Sequence, residues 1–81
     1  MKNRVIYSVR EEIYRIGGRV RCGYGIVAYA PMEDDTGLAV IASVSDVTSD
    51  RAALENLVLS CNEAGLDPCH LYDVVEDFLC R

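Results

Sequence analysis

The stretch RIGGRVRCGYGI, residues 15–26, combines four glycines with three arginines, the residue types of a phosphate-binding loop. Such a loop joins a strand to a helix, so that unpaired backbone N–H groups and the helix dipole meet the anion. The stretch has neither a GxGxxG nor a Gly-Lys-Ser/Thr spacing, and strand-like residues lie on both sides of it. We therefore predict the turn and central strand of a sheet instead of a phosphate site.

Cysteines and the single histidine of the C-terminal half are the next candidates, since both residue types bind zinc. Cys69 and Cys80 are eleven residues apart, roughly 16 Å along one helix, so they cannot share an ion. Cys61, Cys69 and His70 could meet across a helix turn, but they offer three ligands without a C-x-x-C spacing. We predict no metal site and no cofactor, and these three residues are the candidates if a metal does bind.

Carboxylates on the last helix could serve acid–base chemistry if they were buried. Asp73, Glu76 and Asp77 share one side of an amphipathic helix, which is the usual pattern of a solvated face. Because the sequence gives no support for a nucleophile with its base, we predict that the protein is not an enzyme.

Two apolar runs separated by Gly17 and Gly18 predict a β-hairpin with a two-residue turn. With these glycines in the turn, the numbers of opposed residues sum to 35. One face of the hairpin is then almost entirely apolar, and a slip by one residue would exchange the faces. The predicted core face contains Val5, Tyr7, Val9, Ile13, Val20, Cys22, Tyr24, Ile26, Ala28 and Ala30.

The rest of the chain predicts a third strand and two helices. LAVIASVSDV would pair with the second strand and add Leu38, Val40, Ala42 and Val44 to the core face. Helix 1 has Ser49 or Asp50 as its N-cap, an apolar stripe and Gly65 at its end; helix 2 has Asp67 as its N-cap and Pro68 at its first position. The two stripes consist of Leu54, Leu57, Val58 and Cys61 and of Leu71, Val74, Val75, Phe78 and Leu79.

These elements predict an α+β fold with two layers, in which a three-stranded antiparallel meander packs on an antiparallel helix pair in the order β-β-β-α-α. We expect a single domain over residues 1–81, with the meander at 3–47 and the helical hairpin at 49–80. No run of 18 apolar residues and no secretory signal is visible, so we expect reduced thiols, a cytoplasmic location and no membrane contact.

The opposite face of the predicted hairpin is the more interesting surface. Arginines interleaved with tyrosines around a glycine gap resemble the surfaces of some single-stranded nucleic-acid binders, and the same gap could let another backbone approach. The predicted interaction surface consists of Arg10, Tyr14, Arg19, Arg21, Gly23, Gly25 and Tyr29.

Charge is divided unevenly along the chain. Residues 1–30 hold six basic and two acidic side chains, and residues 31–81 hold two basic and eleven acidic ones, for a net charge of −5. A basic half joined to an acidic half suits self-association or an oppositely charged partner.

Three segments carry a resemblance to a known family: YGI at residues 24–26, DVTSD at 46–50 and LDPCHLYDVVEDFL at 66–79. The chain resembles small uncharacterised proteins of clostridial-type Firmicutes that form a family of unknown function. The resemblance implies a compact bacterial cytosolic domain without an assigned activity, and Cys69 and Cys80 lie outside its pattern. The matching positions of the last segment are His70, Leu71, Asp73, Val74, Val75, Glu76, Asp77, Phe78 and Leu79.

Together, these observations predict a non-enzymatic protein-interaction or regulatory module that forms a homodimer or binds an unknown protein. The alternative is a single-stranded nucleic-acid binder that uses the arginines and tyrosines of the predicted interaction surface.

Overall fold

The structure is a computed structural model that describes residues 4–34 and 36–80. Three strands, β1 (Ile6–Ile16), β2 (Arg19–Pro31) and β3 (Leu38–Thr48), form one antiparallel sheet in the order β1-β2-β3. Helix α1 (Arg51–Ala64), a short 3-10 helix (Pro68–His70) and helix α2 (Leu71–Leu79) follow. The predicted α+β arrangement is confirmed; residues 1–3, where the meander was expected to begin, lie outside the described part.

The β1–β2 hairpin has the predicted register. Every pair from Ile6 opposite Tyr29 to Ile16 opposite Arg19 sums to 35. Gly17 and Gly18 have φ of +57° and +79°, as both central residues of a type I′ turn require. Because the turn fixes the register, the two faces of the hairpin are those that the sequence predicts.

The core lies between one face of the sheet and the two helices. Tyr7, Ile26 and Ala28 from the sheet are buried against five residues of the helices, while Val5, Val9 and Tyr24 pack around them. The helical contribution consists of Leu54, Val58, Cys61, Leu71 and Val75, with Leu57, Val74 and Phe78 packed beside them. The predicted apolar stripes are thus confirmed except at Leu79, which is exposed.

The predicted core face is wrong at the turn end of the hairpin. Ile13, Val20 and Cys22 point to the correct side of the sheet, but all three are exposed. The strands of 11 and 13 residues extend roughly 36–44 Å, whereas the 14 residues of α1 extend about 21 Å. The helices are too short to cover the whole hairpin.

The predicted core positions of β3 are half correct. Ala42 and Val44 lie opposite Ala28 and Ile26 and pack against the core. Leu38 and Val40 instead lie on the outer face and are exposed, which contradicts the prediction. The pairing shifts by one residue between Ala28 and Tyr29, and such a bulge exchanges the two faces of the strand beyond it.

A second irregularity in β3 places a residue in the core that the alternation did not predict. Asp46 has φ of +54°, and the pairing jumps from Ile26 opposite Val44 to Tyr24 opposite Thr48. As a result Val47 is buried in the core.

The helix ends largely follow the sequence signals. Asp50 caps α1 by accepting from the Ala53 N–H (3.1 Å), and Gly65 ends the helix with φ of +64°. Asp67 caps the 3-10 helix at the Cys69 N–H (3.0 Å), so α2 itself begins only at Leu71. Neither helix in the described residues has the length and apolar character needed to cross a membrane.

Candidate interaction surface

The glycine gap on the outer face of the sheet is filled by the chain's own third strand. Gly23 and Gly25 are buried. A Cβ on Gly25 would lie 2.5 Å from the carbonyl oxygen of Val44 and 3.2 Å from the Cα of Ser45. One prediction from the sequence is that another backbone approaches this gap. The backbone that does so belongs to β3 of the same chain.

A polar cluster covers these two glycines. Arg10 donates to Glu12 Oε2 (3.1 Å) and Ser45 Oγ (3.3 Å), and Glu12 Oε1 accepts from the Asp46 N–H (2.9 Å). The Tyr14 hydroxyl donates to Asp46 Oδ1 (3.1 Å), and this hydrogen bond is the main cause that raises the pKa of Tyr14. Because the Asp46 N–H bonds to the Glu12 side chain, the cluster ties the β3 bulge to β1 across the central strand.

The seven predicted surface residues are not brought together into one site. Arg10 and Tyr14 are held by the acidic groups of this cluster. Arg19 and Arg21 are exposed near the turn, while the half-buried Tyr29 lies opposite Ile6 at the other end of the sheet. Eight residues along β2 separate Arg21 from Tyr29, which is roughly 26 Å.

The sulfur and imidazole candidates are also dispersed. Cys61 is buried in the core, and desolvation raises the pKa of its thiol, which opposes the thiolate that a metal needs. Cys69 and His70 are exposed on the 3-10 helix, and the hydrogen bond with Asp67 raises the pKa of Cys69. Within residues 4–34 and 36–80, no three His, Cys, Asp or Glu side chains are grouped so that they could hold a metal ion.

The carboxylates of α2 are exposed, as the amphipathic pattern predicts. Asp73, Glu76 and Asp77 all lie on the solvated side of the helix. Carboxyl pairs that do acid–base work are usually held in a desolvated cleft, and these three lie on an open helix face.

Sequence reasoning missed the most distinctive surface of the molecule, the far part of the hairpin. We call residues 12–23, which extend from the last pairing of β3 at Tyr24 to the turn, the arm. The side chains of Ile13, Ile16 and Val20 on the arm are 69%, 61% and 62% exposed. The signal was present in the sequence, since the hairpin strands are much longer than either helix that could cover them.

The free edge of β1 runs along the same arm. Asn62 of α1 donates to the Tyr7 carbonyl (2.9 Å) and accepts from the Tyr7 N–H (2.8 Å), which shields the edge at that residue. Beyond Tyr7, no side chain in the described parts of the chain bonds to the outward backbone groups of Val9, Glu11, Ile13 or Arg15. An edge strand with unpaired groups is a template for another strand.

Comparisons with known proteins give a family and no activity. No curated protein and no solved structure matches the chain. The model of one family, described as a family of unknown function (DUF6514), matches residues 1–81. This confirms the resemblance to a family of unknown function, while the bacterial origin stays a prediction. The match spans all 81 residues, and the chain therefore belongs to the DUF6514 family.

Proposed function

We propose that this protein is a non-enzymatic interaction module of the bacterial cytoplasm and that it acts as a homodimer. The observation that carries the proposal is the arm, a two-stranded extension with apolar side chains and no helix above them. Ile13 and Val20 lie on the core side of the sheet and Ile16 on the outer side, so both faces of the arm expose apolar area, and exposed apolar surface marks protein–protein contact sites. Dispersed cysteine, histidine and carboxylate groups support an interaction role over catalysis.

The energetics of a bare hairpin support a partner. A two-stranded ribbon is at best marginally stable in water and gains stability when another layer or strand covers it. The described core consists of nine buried residues, none of which belongs to the arm. A domain of 81 residues also buries a modest share of its surface by itself, so association adds a large fraction to its core.

Charge favours a second copy of the chain as this partner. The arm holds three arginines and one glutamate, while residues 50–80 hold seven acidic side chains and one arginine. Opposite fields on two ends of one molecule steer copies of it toward each other.

Sedimentation velocity over a concentration series tests the proposal. We expect a dimer. The double variant Ile13→Ser/Val20→Ser should weaken it, because both substitutions remove exposed apolar area from the arm. Leu59→Ser is the matched control, since Leu59 is 56% exposed on α1 and lies outside the arm. A wild-type monomer at high micromolar concentration would refute the dimer.

The nucleic-acid alternative receives less support from the geometry. Two of its five proposed contact residues, Arg10 and Tyr14, are bonded to Glu12 and Asp46, and these carboxylates would repel phosphate. Binding of mixed single-stranded oligonucleotides should be tightest at low salt if the alternative is correct. Titration under those conditions with a fluorescent oligonucleotide tests it, and an absence of binding would dismiss it.

A further inference from the structure

The hydrogen-bonding groups of β1 alternate between its partner strand and its free edge. In a hairpin with a two-residue turn, the closing pair, here Ile16 and Arg19, exchanges both backbone hydrogen bonds. Even-numbered residues of β1 therefore point these groups toward β2, and odd-numbered residues point them outward. Tyr7 confirms this alternation, because both its N–H and its carbonyl bond to Asn62 on the outer side.

We propose that β1 of a second copy of this chain pairs antiparallel with this edge, centred on Ile13, and joins the two sheets into one of six strands. The inference rests on the proposed homodimer and specifies its interface. Residues 11, 13 and 15 of each copy would exchange hydrogen bonds with residues 15, 13 and 11 of the other, which satisfies the outward groups of the arm. Because odd residues must face odd residues, only a few registers are open to the pair.

Charge selects the register among them. Centred on Ile13, Glu11 lies opposite the partner's Arg15 at two symmetric positions, and Ile13 lies opposite its own copy. Opposite charges and apolar residues directly across a strand pair are both stabilising, whereas like charges are destabilising.

Neighbouring registers are worse on the same grounds. A register centred on Glu11 or on Glu12 places that glutamate opposite its own copy. The register centred on Glu11 would also pair Arg15 with Tyr7, whose outward backbone groups are already bonded to Asn62. A centre on Tyr14 leaves Glu11 opposite a turn glycine and both Arg15 side chains opposite Ile13. Only the centre on Ile13 pairs every charged residue of the outward set with its opposite.

Burial agrees with this arrangement. Glu11, Ile13 and Arg15 lie on the face of the sheet that the helices cover further along, and all three are exposed. The Glu11 carboxylate accepts only from the Cys22 thiol (3.4 Å) among the hydrogen bonds of the described residues, and Arg15 has no ion pair there. Pairing two arms would shelter Ile13, give Arg15 an ion-pair partner and add a second basic neighbour to Glu11, which already interacts electrostatically with Arg51.

Disulfide trapping of the full chain tests the register. The background is Cys22→Ser/Cys69→Ser/Cys80→Ser, which removes the exposed thiols and, in particular, Cys22, the cross-strand neighbour of Ile13. Ile13→Cys on this background should form a covalent dimer under mild oxidation, because the Cα atoms of a hydrogen-bonded pair lie about 5.5 Å apart, within disulfide range. Glu11→Cys is the control: its two copies would lie about 13 Å apart along the strands and should not crosslink.

Charge exchange is the second test and needs no oxidation. Glu11→Arg and Arg15→Glu should each raise the dimer dissociation constant roughly tenfold, because each replaces two attractive pairs with two repulsive ones. The combined Glu11→Arg/Arg15→Glu variant restores both pairs and should return close to the wild-type value. Circular dichroism of each variant checks that the fold is retained.

The outcomes separate this inference from the proposed function. A wild-type monomer at high micromolar concentration overturns both. A dimer in which Glu11→Cys crosslinks, or neither variant crosslinks, overturns the β1 pairing and leaves the homodimer standing. A dimer trapped by Ile13→Cys alone, with affinity restored in the charge-exchanged double variant, supports the pairing.

Discussion

Replacing Gly25 with alanine tests whether β3 really closes over the glycine gap. The added Cβ would lie 2.5 Å from the Val44 carbonyl oxygen, 3.0 Å from Glu12 Oε2 and 3.2 Å from the Cα of Ser45. Even the close C–H···O contacts between strands keep carbon and oxygen about 3.3 Å apart. The Val44 backbone must therefore retreat by nearly an ångström, and it belongs to a paired strand that cannot move alone.

The magnitude follows from two opposing contributions. Overpacking a well-packed site costs typically about 1–3 kcal/mol. Alanine in place of glycine in a strand returns roughly 0.5–1 kcal/mol, because glycine loses more backbone freedom on folding. We expect Gly25→Ala to lower the free energy of unfolding by about 1–2 kcal/mol, which in a domain of this size lowers Tm by roughly 4–8 °C per kcal/mol.

Gly23→Ala is the matched control on the same face of the same strand. Its Cβ would meet the Asp46 carboxylate oxygen at 3.0 Å and the Tyr14 hydroxyl at 3.6 Å, and both atoms are the ends of side chains that can turn away. We expect a change within about 1 kcal/mol of the wild type. Urea denaturation followed by circular dichroism measures both variants on one scale.

The relative stabilities of Gly25→Ala and Gly23→Ala show whether β3 fills the gap. If the gap were open, both alanines would stabilise the strand slightly and equally. A Gly25→Ala variant as stable as the wild type, or more stable, would therefore refute the account of β3 lying over the gap.

Three further predictions concern other contacts of the fold. Asn62→Ala should cost about 1–2 kcal/mol in urea denaturation, because it leaves both backbone groups of Tyr7 unpaired, and a stability equal to the wild type would contradict the shielding of this edge. Asp50→Ala should cost about 1 kcal/mol because it removes the cap of α1. Ser49→Ala, at a neighbour that does not cap the helix, is the control, and an equal loss of helical signal in the two variants would contradict the assignment. Alkaline pH should weaken the fold, because burial raises the pKa values of Cys61 and Tyr7 above their ordinary 9.0 and 10.0. The unfolded chain therefore loses these protons first, and the free energy of unfolding falls as pH rises from about 9. A midpoint of urea denaturation that stays constant between pH 7 and 10 would contradict this prediction.

The hairpin was predictable because two independent signals agree. Gly17 and Gly18 fix the turn, and the period-two alternation on both sides fixes which residues face the core. The helices were predictable for the same reason, since the stripe around Leu54 and the cap at Asp50 point to one position for α1. Agreement between local and global signals left no competing register.

The third strand failed because its sequence does not choose a face. In LAVIASVSDV, Val40 and Ile41 are both apolar, so the sequence shows no break in its alternation at the point where the pairing takes up an extra residue. The bulge near Ile41 moves Leu38 and Val40 to the outer face, and the left-handed Asp46 moves Val47 to the core. The candidate site suffered the same loss, because the group that fills the gap above Gly25 comes from this strand.

The edge of β1 is shielded at Tyr7 and open further along the strand, and this difference has a physical reason. At Tyr7 the edge lies beside α1, where Asn62 satisfies both backbone groups and no strand can be added. Beyond Tyr7, no side chain of the described residues shields the edge, which carries Glu11 next to the arm and Arg15 within it, charges of the kind that protect natural edge strands from indiscriminate pairing. A strand with one acid and one base four residues apart pairs these charges with its own copy in one register, and the neighbouring registers leave them unpaired or oppose like charges. The two side chains that protect this part of the edge from aggregation are therefore the same two that we propose select its partner.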